Sequence, residues 1–504
     1  MSHREELELK YEVDDLAATA ATLDDLFPRG EGPDWQHSSV DDLFFDTPDQ
    51  ALAMSGIGAR LRGVGERWTV TLKSTVKVKG PRHLRAEIEG AATEVLDPAD
   101  WPASPARELL EEVAGPAPLL PRFRLCQQRR ERELWLTDGR LMASVDDVVV
   151  LTVDGRELGR LRGLEVEFLA GRRRTLRRVA KRIESTGLAR PEPLSKMQLA
   201  HSLVAARQRL EAYDLLAEAG RKVLSRHLAT MLEREAAVKA GDTLALKQMR
   251  VATRRMRSAW RVFDGAYRRS EHRRYVAQLR VLARRLGEVR DLEVLIAGLP
   301  AEQAIKPLAE AWRSERTQAM ERLLAHLGSP GHARFVADFR FFVGSPGAAV
   351  ARQSATTPVR DVAGPRILET YTELLRLGRE LDPADHATFH GLRIGGKRLR
   401  YALETFGDLL PPEPMTRCRS RLIALQDALG ELNDCAVAAD RAERWLSAQE
   451  TDLQLDVRAA VEAHVARLAE QREAAASSAV RIWRAVASPT FQQDLEALAA
   501  AVGR

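Results

Sequence analysis

Residues 6–13 read ELELKYEV, and this stretch decides how the N-terminal part of the chain folds. Charged and apolar side chains alternate, which in a strand puts Glu6, Glu8 and Lys10 on one face and Leu7, Leu9 and Tyr11 on the other. The same period of two recurs in GARLRGV (58–64), RWTVTLKS (67–74), HLRAEIEG (83–90), LMASVDDVVV (141–150) and GLEVEFLA (163–170). Gly/Pro/Asp-rich breaks such as RGEGPD (29–34) and AGPAPLLP (114–121) separate them. A mainly antiparallel sheet is therefore expected from Glu6 to about Glu167, with short helices near Val13–Leu26 and Arg172–Ser185. From about Ala205 the period changes to 3.6, in long Ala/Leu/Arg/Glu stretches, so the rest of the chain reads as all α.

At 504 residues the chain holds about three packing units of ~150 residues each. Charged residues make up 30%, hydrophobic ones 45% and aromatics 5%, which argues against both a membrane-embedded and a wholly disordered protein. The 77 Lys+Arg against 72 Asp+Glu leave a net charge of +5, so only a local segregation of sign can announce a polyanion partner. Cys126, Cys418 and Cys435 have no CxxC spacing, so neither a disulfide framework nor a zinc site is expected. No run approaches the ~18 apolar residues of a membrane helix, and the N-terminus lacks the apolar core of a signal peptide. A cytoplasmic protein without a membrane partner is expected.

An internal repeat organises the helical part. KQMRVATRRMRSAWRVF from Lys247 matches HGLRIGGKRLRYALETF from His390, and LGEVRDLEVL from Leu286 matches LGELNDCAVA from Leu429. Both pairs lie 143 residues apart. One shared offset for two motifs means a duplicated helical unit rather than chance likeness of Arg-rich helices. The Gly-Pro-rich stretch from Gly328 to Pro365 reads as the connector. The expected division is a β-rich domain at 1–203 and a helical domain at 212–504, with halves at about 212–343 and 361–504.

The β-rich strands carry an unusual load of charge on one face. Arg60 pairs with Arg62, Arg85 with Glu87 and Glu89, Arg130 with Arg132, and Glu165 with Glu167. For any one strand a solvated outer face explains the pattern. A solvated face seldom has a formal charge at every polar position, however, and here five strands do. Closed into a barrel, such faces would line the interior with carboxylates and Arg/Lys side chains. Carboxylates bind hard divalent cations through oxygen, and Arg forks suit phosphate, so both signs together indicate a site for metal plus a phosphate chain.

The ordered set of motifs resembles the CYTH superfamily, the triphosphate tunnel metalloenzymes. ELELK looks like its ExExK signature. FFDTPD (44–49), GARLR, TLK ending at Lys73, RAE (85–87), the Arg130 strand, Asp146, EVE (165–167) and LSK ending at Lys196 follow in the family's order. The resemblance, over roughly residues 1–203, implies an eight-stranded antiparallel tunnel with flanking helices that acts on triphosphates with Mg²⁺ or Mn²⁺. It implies Glu6, Glu8, Asp146, Glu165 and Glu167 as metal ligands, and Lys10, Arg60, Arg62, Lys73, Arg85, Arg130 and Lys196 as phosphate-binding residues. Catalysis would run through Glu6, Glu8, Lys10 and Lys73. Glu87 and Glu89 stand either in the acidic set or in an ion pair with Arg85. Arg132 and Asp147 are expected on a solvated face.

On the helix from Lys247, the residues Lys247, Arg250, Arg254, Arg257 and Arg261 fall in one stripe at steps of three and four, opposite Met249, Ala252, Met256, Trp260 and Phe263. His390, Arg393, Lys397 and Arg400 repeat the design. A basic stripe is usually a solubilising surface, but like charges at i,i+4 are mildly destabilising, and both copies keep them almost without acidic relief. An anionic ligand is expected. HxxRxxxKRLRY at His390–Tyr401 with LGELND at Leu429–Asp434 resembles the CHAD family, named for a histidine in an α-helical domain. That resemblance, over about 212–504, implies a duplicated bundle that binds inorganic polyphosphate in a basic groove. Arg290 is implied to line a pore and Asp291 to orient a helix. The first copy departs from the pattern, with Lys247 where the second has His390.

The expected function is metal-dependent hydrolysis of inorganic triphosphate, joined to polyphosphate binding and with it association with polyphosphate granules. Alternatives are a thiamine-triphosphatase or adenylate cyclase of the same fold, and a non-catalytic polyphosphate scaffold. Nucleic-acid binding is disfavoured because the basic stripes lack interleaved aromatics.

Overall fold

The computed structural model describes residues 4–28, 33–79, 81–351, 354, 356–382, 385–449 and 453–502. Part of the break at 29–34 (residues 29–32), and residues 352, 353 and 355 of the expected connector, lie outside them. The alternating stretches are strands: β1 (Arg4–Val13), β2 (Gln36–Asp46), β3 (Ile57–Val64), β4 (Arg67–Lys79), β5 (Arg82–Ala92), β6 (Leu120–Leu136), β7 (Gly139–Leu151), β8 (Glu157–Gly171) and the short β9 (Ala189–Pro191). Helices α1 (Leu16–Leu26), α2 (Ala51–Met54), α3 (Pro105–Ala114), α4 (Arg173–Glu184) and α5 (Lys196–Arg207) are interspersed. The strand order β5-β4-β3-β2-β6-β7-β8-β1 is closed by antiparallel pairing of β1 with β5, and β9 adds to β1. Eight antiparallel strands thus form a tunnel, and β1 is the strand that seals it, pairing with β5 through Arg4–Leu9 and with β8 through Glu8–Glu12.

In β1, β3, β4 and β8 the apolar parity faces outward. Leu7, Leu9, Tyr11 and Val13 pack with Leu164, Val166 and Val145 beneath Leu23 of α1 and Leu176, Val179 and Ile183 of α4. Ala59, Leu61, Val70 and Leu72 pack under Ala106 and Leu110 of α3. Each buried leucine contributes about 1.5–3 kcal/mol, so the helices hold the barrel from outside and leave the polar parity to the interior. Phe44, stacked on Phe123 at 4.9 Å between ring centres, packs with Leu125, Val148, Ala200 and Val204 against α5.

Arg132 corrects an expectation. It is buried at 2% exposure, paired with Asp24 at 2.6 Å and donating to the Phe27 carbonyl at 2.9 Å. Its parity on β6 is the outward one, and that face is covered by α1 rather than by water. Asp147 stays on the outside and is half-buried, 3.8 Å from Arg160.

The remaining helices are α6 (Leu216–Lys239), α7 (Thr243–Val262), α8 (Arg269–Ala297), α9 (Lys306–Leu327), α10 (Pro330–Gly344), α11 (Arg360–Arg379), α12 (His386–Thr405), α13 (Pro412–Ala448), α14 (Leu455–Val486) and α15 (Pro489–Ala501). Two compact units result: Met1–Gln208 with Val336–Val350, and Arg209–Phe335 with Ala351–Arg504. The boundary expected at 203 falls inside α5, which runs on to Arg207. The expected connector is also corrected. Between its Gly-Pro pairs, HARFVADFRFF keeps helical spacing and buries Phe335, Phe339 and Phe342, so it forms α10, and Pro365 lies inside α11. Among the described residues no helix is long and apolar enough to cross a membrane.

Candidate active site

The inward parity of β1 delivers Glu6, Glu8 and Lys10 into the tunnel. Strand register sets Glu6 opposite Arg85 of β5, Glu8 opposite Glu167 and Lys10 opposite Glu165 of β8. Arg60 and Arg62 enter from β3, Lys73 from β4 and Lys196 from the first turn of α5. Together with Asp42, Glu87, Glu89 and Arg129 they line a cavity of about 220 Å³. The alternation read from the sequence becomes a chamber in which both signs converge.

Almost every charge there has an opposite neighbour. Lys10 Nζ donates to Glu8 at 2.8 Å and also to Glu165, and Lys73 Nζ lies 2.9 Å from Glu6 and 3.0 Å from Glu87. Lys196 Nζ joins Glu165, at 2.9 Å, to Asp146. Burial opposes the Lys10 charge, but Glu165 and Glu8 outweigh it and hold its pKa above the ordinary value. Burial likewise opposes the Glu165 carboxylate, which Lys10, Lys196 and Arg129 nonetheless hold well below the usual range. Such mutual compensation lets a buried cluster stay ionised.

Two residues that sequence reasoning passed over complete the chamber. Asp42, at 1% exposure, takes a two-pronged contact from Arg62 at 2.7 and 2.8 Å and lies 3.5 Å from Arg60. Burial alone would raise its pKa, yet Arg60 and Arg62 bring it to about 2. Its signal was the lone charge at the inward parity of DDLFF. Arg129 fills the place expected of Arg130. It grips Asp146 at 2.8 and 3.2 Å and lies 3.4 Å from Glu165. Arg130 has the other parity and lies 5.8 Å from the Trp35 ring on the outside of the barrel. Counting by twos from Phe123 through Leu125 and Gln127 reaches Arg129 and would have found it.

The acidic pair is also resolved. Glu87 meets Lys73 and lies 3.9 Å from Arg60, and Glu89 accepts from Thr71 at 3.1 Å, so neither pairs with Arg85. Arg85 instead donates to Nδ1 of His83 at 2.9 Å.

The donors available to a metal are all carboxylate oxygens, which suits a hard divalent ion. Among the described residues, no three acidic, His or Cys side chains are gathered as one ligand set, because Lys10 and Lys73 stand between the carboxylates. Asp146 is committed to Arg129 and Lys196 and serves as an anchor for cations. Glu6, Glu8, Glu165 and Glu167 remain as the lining acids that fit a divalent ion in chemistry.

In the helical unit, Arg250, Arg254 and Arg257 of α7 meet Arg280 and Arg284 of α8 and Arg441 of α13 around a cavity of about 630 Å³. Asp291 lines it too, 3.4 Å from Arg250. The α12 stripe joins electrostatically: burial and the nearby Arg393, Arg254 and Arg250 push Lys397 down to about 8. Arg254 and Arg400 flank the buried Tyr401 ring at 5.4 and 5.2 Å, and Arg400 Nε lies 3.4 Å from Glu404. Lys247 and His390 are exposed and are not among the side chains lining this cavity. Arg290 departs from expectation: it pairs with Glu293 at 3.1 Å, a carboxylate that also binds Arg316, while the next residue, Asp291, faces the cavity. Arg280, Arg284 and Arg441 were missed because each lies outside the repeated stripe.

Comparison with known proteins agrees with this division. A CYTH domain model matches residues 4–198 and a CHAD domain model residues 222–443. The CHAD domain from Ricinus communis is 24% identical over 58% of this chain and 94% of its own, with a TM-score of 0.44. PptA from Streptomyces chartreusis is 19% identical over 53% and 99%, also at 0.44. HpAC1 from Hippeastrum, described as an adenylyl cyclase candidate with a dominant triphosphatase activity, is 18% identical over 39% and 95%, at 0.31. Members of the CYTH family are metal-dependent triphosphatases or cyclases. The chain, whose strands close a charged tunnel and whose helices gather arginines, is a CYTH domain followed by a CHAD domain.

Proposed function

We propose that the tunnel hydrolyses inorganic triphosphate to pyrophosphate and phosphate with Mg²⁺ or Mn²⁺, and that the helical unit binds inorganic polyphosphate. The observation that carries the first part is the convergence of seven cations with the carboxylates of Glu6, Glu8, Glu165 and Glu167 in one small chamber. A cavity of about 220 Å³ suits a bare phosphate chain better than a chain bearing a nucleoside. Lys10, Arg60, Arg62, Lys73, Arg85, Arg129 and Lys196 would hold and orient the phosphates, with the Arg forks taking paired oxygens. A divalent ion bound by the acids supplies charge neutralisation at the phosphates and a more acidic water. The basic cavity supports the second part, since its arginines are held near one another with few acids to relieve them. Such binding would draw the chain to polyphosphate granules.

The test is phosphate release from triphosphate, ATP and thiamine triphosphate with each metal, comparing the wild type with Glu8→Gln. Triphosphate is expected to be the best substrate, and Glu8→Gln to lower turnover by about 10²-fold or more. Absence of metal-dependent release from all three would overturn the reading.

A further inference from the structure

The tunnel unit contains fifteen residues that arise inside the CHAD stretch of the sequence, Val336–Val350, most of them the C-terminal part of α10. They grip α5 and the segment leading into it. Arg340 pairs with the buried Glu192 at 3.1 Å, and Ser345 Oγ accepts from Gln198 Nε2 at 2.7 Å. The same Gln198 closes the capping box at Ser195 that starts α5. A side chain at Gly344 would meet the Gln198 carbonyl at 2.7 Å, and one at Gly347, where φ is +73°, would meet Ala53 O at 2.4 Å. Glycine at both places lets this strap lie directly on α5 and α2.

The gripped segment leads to the chamber. Its Glu192 carbonyl accepts from Nε2 of His83 at 3.1 Å, which leaves Nδ1 of the ring as the acceptor for Arg85 at 2.9 Å. His83 is fully buried, and it and Arg85 occupy alternate positions on β5. Arg85 Nε is itself buried without a hydrogen-bond partner, so the bond that the guanidinium donates to His83 is what fixes its direction. Lys196 rides on the same segment, four residues after Glu192.

We propose that Arg340 is a positioning residue for the tunnel: by fixing Glu192 it sets His83, and through His83 it aims Arg85 into the chamber without touching it. The tunnel is then incomplete unless the Val336–Val350 strap is in place. No substrate contact by Arg340 is implied. The functional readout rests on the triphosphatase reading, whereas the hydrogen-bonded chain does not.

The test uses the full-length chain with Arg340→Met, Arg340→Lys, Arg85→Gln and the Arg340→Met/Arg85→Gln double variant. Arg340→Met is expected to raise KM for inorganic triphosphate about 10-fold with kcat little changed. Arg340→Lys should restore most of the loss. In the Arg85→Gln background, Arg340→Met should cost much less, because the group it aims is gone. An unchanged KM, or an equal rise in that background, would overturn the proposal. If the wild type neither binds nor cleaves triphosphate, the triphosphatase reading falls by itself. The chain is then judged from the ¹⁵N resonances of the His83 ring, which Arg340→Met should shift; unmoved resonances would sink the proposal on structural grounds alone.

Discussion

Tunnel and helical cavity both gather cations, but they treat them in opposite ways. In the tunnel Lys10, Lys73, Lys196, Arg62 and Arg129 each lie within about 3 Å of a carboxylate. In the helical unit, burial and neighbouring cations act together to depress Arg257, Arg261 and Lys397. The first arrangement is settled in the absence of a ligand. The second stores unrelieved repulsion that an anion would remove. One cluster is therefore built for geometry and the other for affinity, and their responses to mutation, salt and pH should differ.

The largest expected effect lies in the settled cluster. Asp42→Asn leaves Arg60 and Arg62 buried beside a neutral amide and should cost about 3–5 kcal/mol in the unfolding of the tunnel unit, read by urea denaturation. A loss under ~1 kcal/mol would mean that the pairing contributes little. Next comes Arg129→Gln, which should lower kcat/KM on triphosphate by about 10²-fold. Arg130→Gln on the outer face should leave activity intact and cost no more than ~1 kcal/mol of stability. Equal effects of the two would erase the parity assignment of β6.

In the repulsive cluster, Arg393→Ala with Lys397→Ala should weaken polyphosphate binding by about 10-fold or more while leaving triphosphate turnover unchanged. The dependence of log K on log salt should become shallower by roughly one to two. The smallest effect is one of pH. Lys397 titrates near 8, below the ordinary lysine value, so it carries its charge at pH 7 and loses it as pH rises through about 8. Polyphosphate affinity should therefore fall several-fold between pH 7 and 9. Stability without ligand should rise over the same range and up to the unfolded value, because the folded chain releases this proton before the unfolded chain does. Affinity that stays flat across this window in the wild type, or that falls as steeply in Lys397→Arg, would assign the effect elsewhere.

Much of this was legible in the sequence, and the misses have physical causes. Period-two alternation gave the strands and most of the tunnel lining, because parity is inherited directly from the pleat. Arg130 and Arg132 were misread because charge was taken as a guide to parity. Counting from Phe123 settles it, as does the helix α1 that covers Arg132. The 143-residue offset located both basic stripes but not Arg280, Arg284 or Arg441, which reach the cavity from helices whose packing no single-helix pattern encodes. His83 looked like one more strand residue. Its part depends on Glu192, more than a hundred residues downstream, and no local signal joins the two.

The excursion of Val336–Val350 into the tunnel unit also has a consequence in time. The last strand residue of the tunnel unit, Pro191, is made 145 residues before Val336, which at 5–20 residues per second is a wait of about 7–30 s on the ribosome. During that wait the barrel can close but its strap does not exist, and the face of α5 that Gly344 later covers stands open. A nascent chain stalled before residue 336 should therefore hold a tunnel that is formed yet protease-sensitive around 192–198, and synthesis of α10 should close that window.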